Sequence, residues 1–296
     1  MDTLLPLFCS VDDFWQNFEP QWRQTLLTTS SRHRQRAGQR HPSEIMTIVI
    51  LFHQSGYRTC KGFYCSYVCQ HRRQEFPTLL SYGRFVCGIP HLRVPLCAYR
   101  QTQHGPCTGI SFIDSSKLVV CHNARIAQHR VCAERAHRGK TSTGWFFGFK
   151  LPLVVNDQGA ILSWCLTPGK VDDRQPVQQV VRRLVGKLFA DKGSISDALT
   201  TGLREQGRHL ITRLRKNMTN RLMDFSDKLL FRKRAIIETI RDQLKNISQI
   251  EHARHRTPAN FLVTLVCGLL AYALKPVKPS LHLAWNLLPA SSVIRD

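Results

Sequence analysis

The chain has 296 residues, with 42 Lys+Arg against 20 Asp+Glu, a formal net charge of +22 and a pI near 10.1. That balance calls for an anionic partner, nucleic acid first among them. It is not the composition of a membrane protein, because the longest apolar stretch, Phe261 to Leu274, contains Thr264, Cys267 and Gly268 and falls short of the roughly 20 residues a span needs.

Asp2, Asp12 and Asp13 stand near the start in place of a basic and then apolar leader. No signal peptide is expected, and a cytoplasmic, reducing location follows. The eleven cysteines are odd in number and irregularly spaced. Their one cluster, Cys60, Cys65 and Cys69 with His71 nearby, lacks the paired spacing of a zinc site, so buried free thiols are the expectation.

Up to residue 105 the segments read as a small all-α domain: Asp12 to Thr28, Ser43 to Gln54, Thr59 to Glu75 and Thr78 to Val86. Ser43 is placed to N-cap the run Ile45, Met46, Ile48, Val49, Leu51, Phe52, and Gly56 follows its end. Between the first two helices, residues 31–41 are almost devoid of apolar side chains and read as a basic arm, either a solvated linker or a DNA-tracking segment. Short helices carrying Arg72, Arg73, Arg84, Arg93 and Arg100 suit a DNA-contacting domain.

From 106 to 257 the pattern is α/β. Residues 109–114 form an apolar strand closing on Asp114, and Leu118 to Cys121 continue or return it. The aromatic and β-branched run Trp145 to Val155, the turn 156–159 and the return Ala160 to Leu166 make a hairpin. Asp172 and Asp173 precede a helix with Pro176 in its first turn and are expected to cap it. A buried strand then closes on Asp191, Ser194 to Gln206 is helical, His209 to Leu214 is a strand, and a long helix follows. This is the element order of the ribonuclease H fold: a mixed sheet with flanking helices. Residues 258–296 supply a C-terminal helix and tail, with intramolecular packing of the apolar helix expected.

Three acids stand out in a chain with few: Asp114 and Asp191, each closing an apolar strand, and Glu238 in the long helix. Carboxylates from separate elements can hold a pair of hard cations about 3.5–4 Å apart for in-line attack on a phosphodiester. Ile236, Ile240, Leu244 and Ile247 define the core stripe of the long helix, while Phe231, Arg234, Glu238, Arg241 and Lys245 define a second. Pairing with Arg234 at i, i+4 on a solvated face is the bland account of Glu238. The spacing Phe-x₂-Arg-x₃-Glu-x₆-Lys and the need of two aspartates for a third ligand favour metal binding.

On Ile110 to Lys117, Arg138 to Phe149, Leu166 to Arg174, Leu188 to Gly193 and Arg234 to Ile240, the chain resembles a bacterial insertion-sequence DDE transposase, nearest the family numbered nine-eight-two. The resemblance implies Asp114, Asp191 and Glu238 as the catalytic, metal-binding triad, two Mg²⁺ ions that Mn²⁺ can replace, and Arg234 and Lys245 as basic partners. Arg241 and Lys192 join them as DNA-contacting residues. It implies binding of terminal inverted repeats, strand cleavage, and transfer of a 3′-hydroxyl to target DNA by a homo-oligomer associated with the bacterial nucleoid. Three positions depart from the pattern: Phe231 for Tyr, Ser194 for Tyr, and Pro152 inside a strand. They leave two alternatives open, a decayed DNA-binding remnant and a ribonuclease H-like nuclease without strand transfer. No G-x₄-G-K-[ST] loop is present, so no nucleotide cofactor is implied.

Overall fold

The computed structural model describes residues 4–28, 41–142, 144–191, 197–212, 224–251 and 255–283. The basic stretch 31–40, Lys192 and Ser194 lie outside the described residues. In chain order come α1 (Leu4–Thr28), α2 (Pro42–Gln54), α3 (Cys60–Gly62), a π-turn over Phe63–Val68, α4 (Cys69–His71), α5 (Tyr82–Gly88), a 3₁₀ turn over Ile89–Leu92 and α6 (Arg93–Thr102). There follow β1 (Ile110–Cys121), β2 (His137–Thr141), β3 (Gly144–Asn156), β4 (Ile161–Trp164), β5 (Thr167–Pro168), α7 (Val177–Val180), β6 (Gly186–Phe189), α8 (Asp197–Glu205) and β7 (Arg208–Ile211). The last elements are α9 (Phe225–Arg232), α10 (Ala235–Asp242), a π-turn over Gln243–Ile247 and α11 (Pro258–Ala273).

The chain divides into two compact units, Met1–Gln103 with Gln243–Lys275, and His104–Asp242 with Pro276–Asp296. The segments expected from the sequence, 1–105, 106–257 and 258–296, run consecutively, whereas each of these units is made of two separate stretches. The reason lies in α11, which buries Phe261, Val263, Leu265, Val266, Leu269, Leu270 and Tyr272 and packs against α2 and α6. A helix apolar on so many sides needs a surround of helices, each large side chain contributing about 1.5–3 kcal/mol on burial. Its start is fixed by Thr257, whose Oγ1 accepts the Asn260 N–H at 3.2 Å, with Pro258 at the first helical position.

In the same unit Ser43 does not cap α2, which begins one residue earlier behind His41. Its hydroxyl instead donates to Asp12 Oδ1 at 2.6 Å and ties α2 to α1. None of the eleven cysteines is in a disulfide; Cys132 and Cys267 are buried and the others partly or fully exposed.

The second unit is built on one mixed sheet. β1 pairs antiparallel with β3, whose other side takes β2 along its first half and β5 and β4 along its second. On its far side β1 pairs in parallel with β6, and β6 with β7. An antiparallel set followed by two parallel strands reached through helices is the ribonuclease H arrangement. One face carries Ile113, Val154, Leu188 and Ala190, covered by Val177, Val180, Val181 and Leu184 around α7 and by Leu203 of α8.

Pro152 sits inside β3, not at an edge, opposite Ser115 of β1. Its carbonyl accepts the Cys165 N–H at 3.1 Å. Since N–H and C=O of one strand residue point the same way, the missing donor faces the interruption between β4 and β5 and no bond to β1 is lost. Asp172 and Asp173 do not cap a helix either. Asp172 accepts the Arg174 N–H at 2.9 Å in a turn, and Asp173 lies 3.2 Å from the buried ammonium of Lys150, which also donates to the Val171 carbonyl. The helix expected to follow the two aspartates is only the single turn α7, because the chain turns after Val180 to enter β6.

Candidate active site

Asp114 does not close its strand; β1 continues seven residues further, to Cys121. What ends beside Asp114 is the parallel neighbour. β6 pairs Ile110 with Lys187, Ser111 with Leu188 and Phe112 with Phe189, then stops. Carried two residues on, this register sets Asp114 level with Asp191. Side chains alternate along a strand, so both aspartates share the face of Phe112 and Phe189, whose rings stack at 5.4 Å. Parallel neighbours lie about 4.8 Å apart, which puts two carboxylates side by side on one face of the sheet.

Gly186 sets this register. Its φ of +91° suits glycine, and any Cβ there would run into the Gly109 backbone. Lys187 N then donates to the Gly109 carbonyl at 2.8 Å, the first bond joining β6 to β1. The Lys187 side chain is on the aspartate face and reaches Asp227 of α9 at 2.6 Å, fixing that helix over the site.

The long helix expected over the site is broken. α9 ends at Arg232, Lys233 and Arg234 form a turn, and α10 begins at Ala235. The Ile236 and Ile237 N–H groups reach back only three residues, to Lys233 and Arg234. The break turns Arg234 inward. Its Nη2 lies 3.4 Å from Asp114 Oδ1 and its Nη1 3.4 Å from Asp191 Oδ1, so one guanidinium bridges the two carboxylates. From the other end of α10, Arg241 Nη1 binds Asp114 Oδ2. Ile237 and Ile240, both fully buried, seat α10 on the unit.

Asp114 and Arg234 keep only 14% and 15% of their side-chain surface exposed, against 58% for Asp191. The Asp114 pair is therefore weakly screened, whereas Asp191 opens to solvent. Glu238 lies between Arg234 and Arg241 in sequence and is exposed. Among the described residues it makes no ion pair, and no group of three or more His, Cys, Asp or Glu is drawn together as for a metal. The geometry thus brings Asp114, Asp191, Arg234 and Arg241 together and leaves Glu238 at the rim. Lys245 falls in the π-turn beyond the stripe and pairs with Glu251 at 3.0 Å, within the helical unit. Phe231 is buried in α9.

The sequence did not disclose that Arg241 is a partner of Asp114, although its position seven residues after Arg234 was the available signal. Nor did it disclose the Lys187–Asp227 and Lys150–Asp173 pairs, which join elements remote in sequence.

The family model for the transposase DDE domain matches residues 104–258. The chain belongs to this transposase family. The match to the DDE transposase spans the whole sheet, α9 and α10, and includes Asp114, Asp191 and Glu238. It concerns the DDE domain at large and singles out no numbered insertion-sequence family. No curated protein matches the transposase chain. A similar solved structure is the Mos1 strand transfer complex, at 10% identity over 84% of this chain and 82% of that one, with a TM-score of 0.25. At that score the likeness supports nothing further.

Proposed function

We propose that this transposase cleaves DNA at the ends of its element and joins the freed 3′-hydroxyl to target DNA at a site built on Asp114 and Asp191, with Glu238 as third ligand. The observation that carries the reading is the Arg234 guanidinium, a cation already shared by both carboxylates. Two oxygens on adjacent strands that hold one positive charge are the donor set a hard divalent ion takes. Divalent ions, Mg²⁺ or Mn²⁺ in its place, would supply charge stabilisation for the attacking and leaving oxygens of an in-line displacement.

The chain's own residues do the rest. Asp114, held on the sheet between Phe112 and Ser116, is the less mobile ligand, and Asp191 beyond the end of β6 is open to substrate. Glu238, at the rim on α10, completes the set when its side chain swings inward. Arg234 and Arg241 lie where a phosphodiester on the carboxylates would run, and their guanidinium forks suit phosphate oxygens. Lys192 and Lys245 are the further DNA contacts of this reading, taken from the sequence. Joining two ends calls for at least two copies acting together.

Pro152 favours this reading over a decayed remnant, because it costs β3 no bond to the strand of Asp114. The test is a labelled end fragment incubated with the purified full chain. We expect nicks with Mg²⁺ or Mn²⁺, none with chelator, and none with Asp114→Asn, Asp191→Asn or Glu238→Gln while end binding persists. Wild-type nicking in any one variant removes that residue from the site. Cleavage with no joined product would support a nuclease instead.

A further inference from the structure

The aspartates that would take a divalent ion are already neutralised from within. Arg234 bridges both, Arg241 holds the second oxygen of Asp114, and the four side chains sum to zero formal charge. The Nε atoms of both arginines are buried without a hydrogen-bond partner. Neither guanidinium is thus fully satisfied where it rests, and each retains donors for a further anion. Arg241 is the freer of the two, with 34% of its side chain exposed against 15% for Arg234.

We propose that Arg241 is a latch on Asp114: it holds the carboxylate in place and excludes the divalent ion until a DNA phosphate draws the guanidinium away. The inference rests on Asp114 and Asp191 being metal ligands. With Arg241 on Asp114, and Glu238 counted in, three negative charges face two positive ones and the site offers a cation a net charge of only −1. With Arg241 on a phosphate, Asp114, Asp191 and Glu238 carry three negative charges against the single positive charge of Arg234. Metal and DNA then bind cooperatively, and by linkage each strengthens the other by the same factor. Uncomplexed protein would carry little metal, and the hydrolytic site would assemble only on its substrate. Arg241 is a positioning residue in this scheme, acting through Asp114.

The test is Mn²⁺ binding to the full chain, followed by the paramagnetic resonance signal of the free ion, with and without duplex DNA. Arg241→Gln is expected to tighten Mn²⁺ binding about tenfold without DNA, within the span typical of couplings between sites, and to abolish most of the enhancement by DNA. Arg241→Lys, which keeps the charge but not the fork, is expected to bind Mn²⁺ without DNA more weakly than Arg241→Gln. Unchanged Mn²⁺ affinity in folded Arg241→Gln, with binding lost in Asp114→Asn, overturns the latch and leaves the metal site standing. Unchanged binding in Asp114→Asn overturns both. If Arg241→Gln does not fold, equal Mn²⁺ affinity of the wild type with and without DNA overturns the latch.

Discussion

At the scale of single residues, the chain contrasts charged groups that found partners with polar groups that did not. His53 in α2 is fully buried, its Nδ1–H donating to the Ser248 carbonyl at 2.7 Å, and burial lowers its pKa to about 4. His255, in the same unit, is lowered to about 4 by burial as well. Both fold in the neutral form, so their contribution is complete above the unfolded value near 6.5 and is lost as pH falls towards 4. For His53 the loss amounts to about 3 kcal/mol at roughly 1.4 kcal/mol per unit. Stability measured by denaturant melts should therefore decline between pH 6.5 and 4, and His53→Gln should make that decline shallower. A variant with the wild-type pH slope would show that His53 takes up its proton without unfolding. Sequence alone gave no hint of this role, since a histidine at the end of an apolar helix looks the same whether it faces solvent or the core.

At the scale of elements, strand periodicity made most of the sheet legible. The hairpin of β3 and β4, the short buried β6 and the helices flanking β7 follow from alternating apolar runs punctuated by turn residues. What escaped depends on neighbours. Asp114 looked terminal because the apolar run stops there, yet β1 goes on because β3 still pairs with it through Phe147. The break at Lys233 and Arg234 was invisible because both are good helix formers, and the ion pairs to Asp114 and Asp191 are what the turn allows. Gly186 is the element-scale test of the site. Gly186→Ala should cost more than about 1 kcal/mol through its positive φ and the clash with Gly109. By shifting β6 along β1 it should also lower metal-dependent cleavage more than DNA binding. A stable, fully active Gly186→Ala protein would show that the register of Asp191 is set elsewhere.

At the scale of the whole molecule, charge was the signal and its distribution the part that had to be seen. A surplus of 22 positive charges predicts DNA affinity that falls steeply and linearly on a log–log salt plot, whichever sequence is offered. Replacing Arg234 and Arg241 together by Ala should make that slope shallower by about two phosphate contacts, a change fluorescence anisotropy can read. An unchanged slope would confine both arginines to their aspartates. Among the described residues no helix is long and apolar enough to cross a membrane. The membership of α11 in the helical unit could not be read from chain order, because an apolar helix shows that it is buried but not which partners bury it.

The central claim, that Asp114 and Asp191 hold the divalent ion, is tested most directly by exchanging the donor atom. Thiolate favours softer cations than Mg²⁺, so Asp114→Cys should lose strand cleavage in Mg²⁺ and regain part of it in Mn²⁺. Cleavage by Asp114→Cys in Mg²⁺ at the wild-type rate would contradict the account.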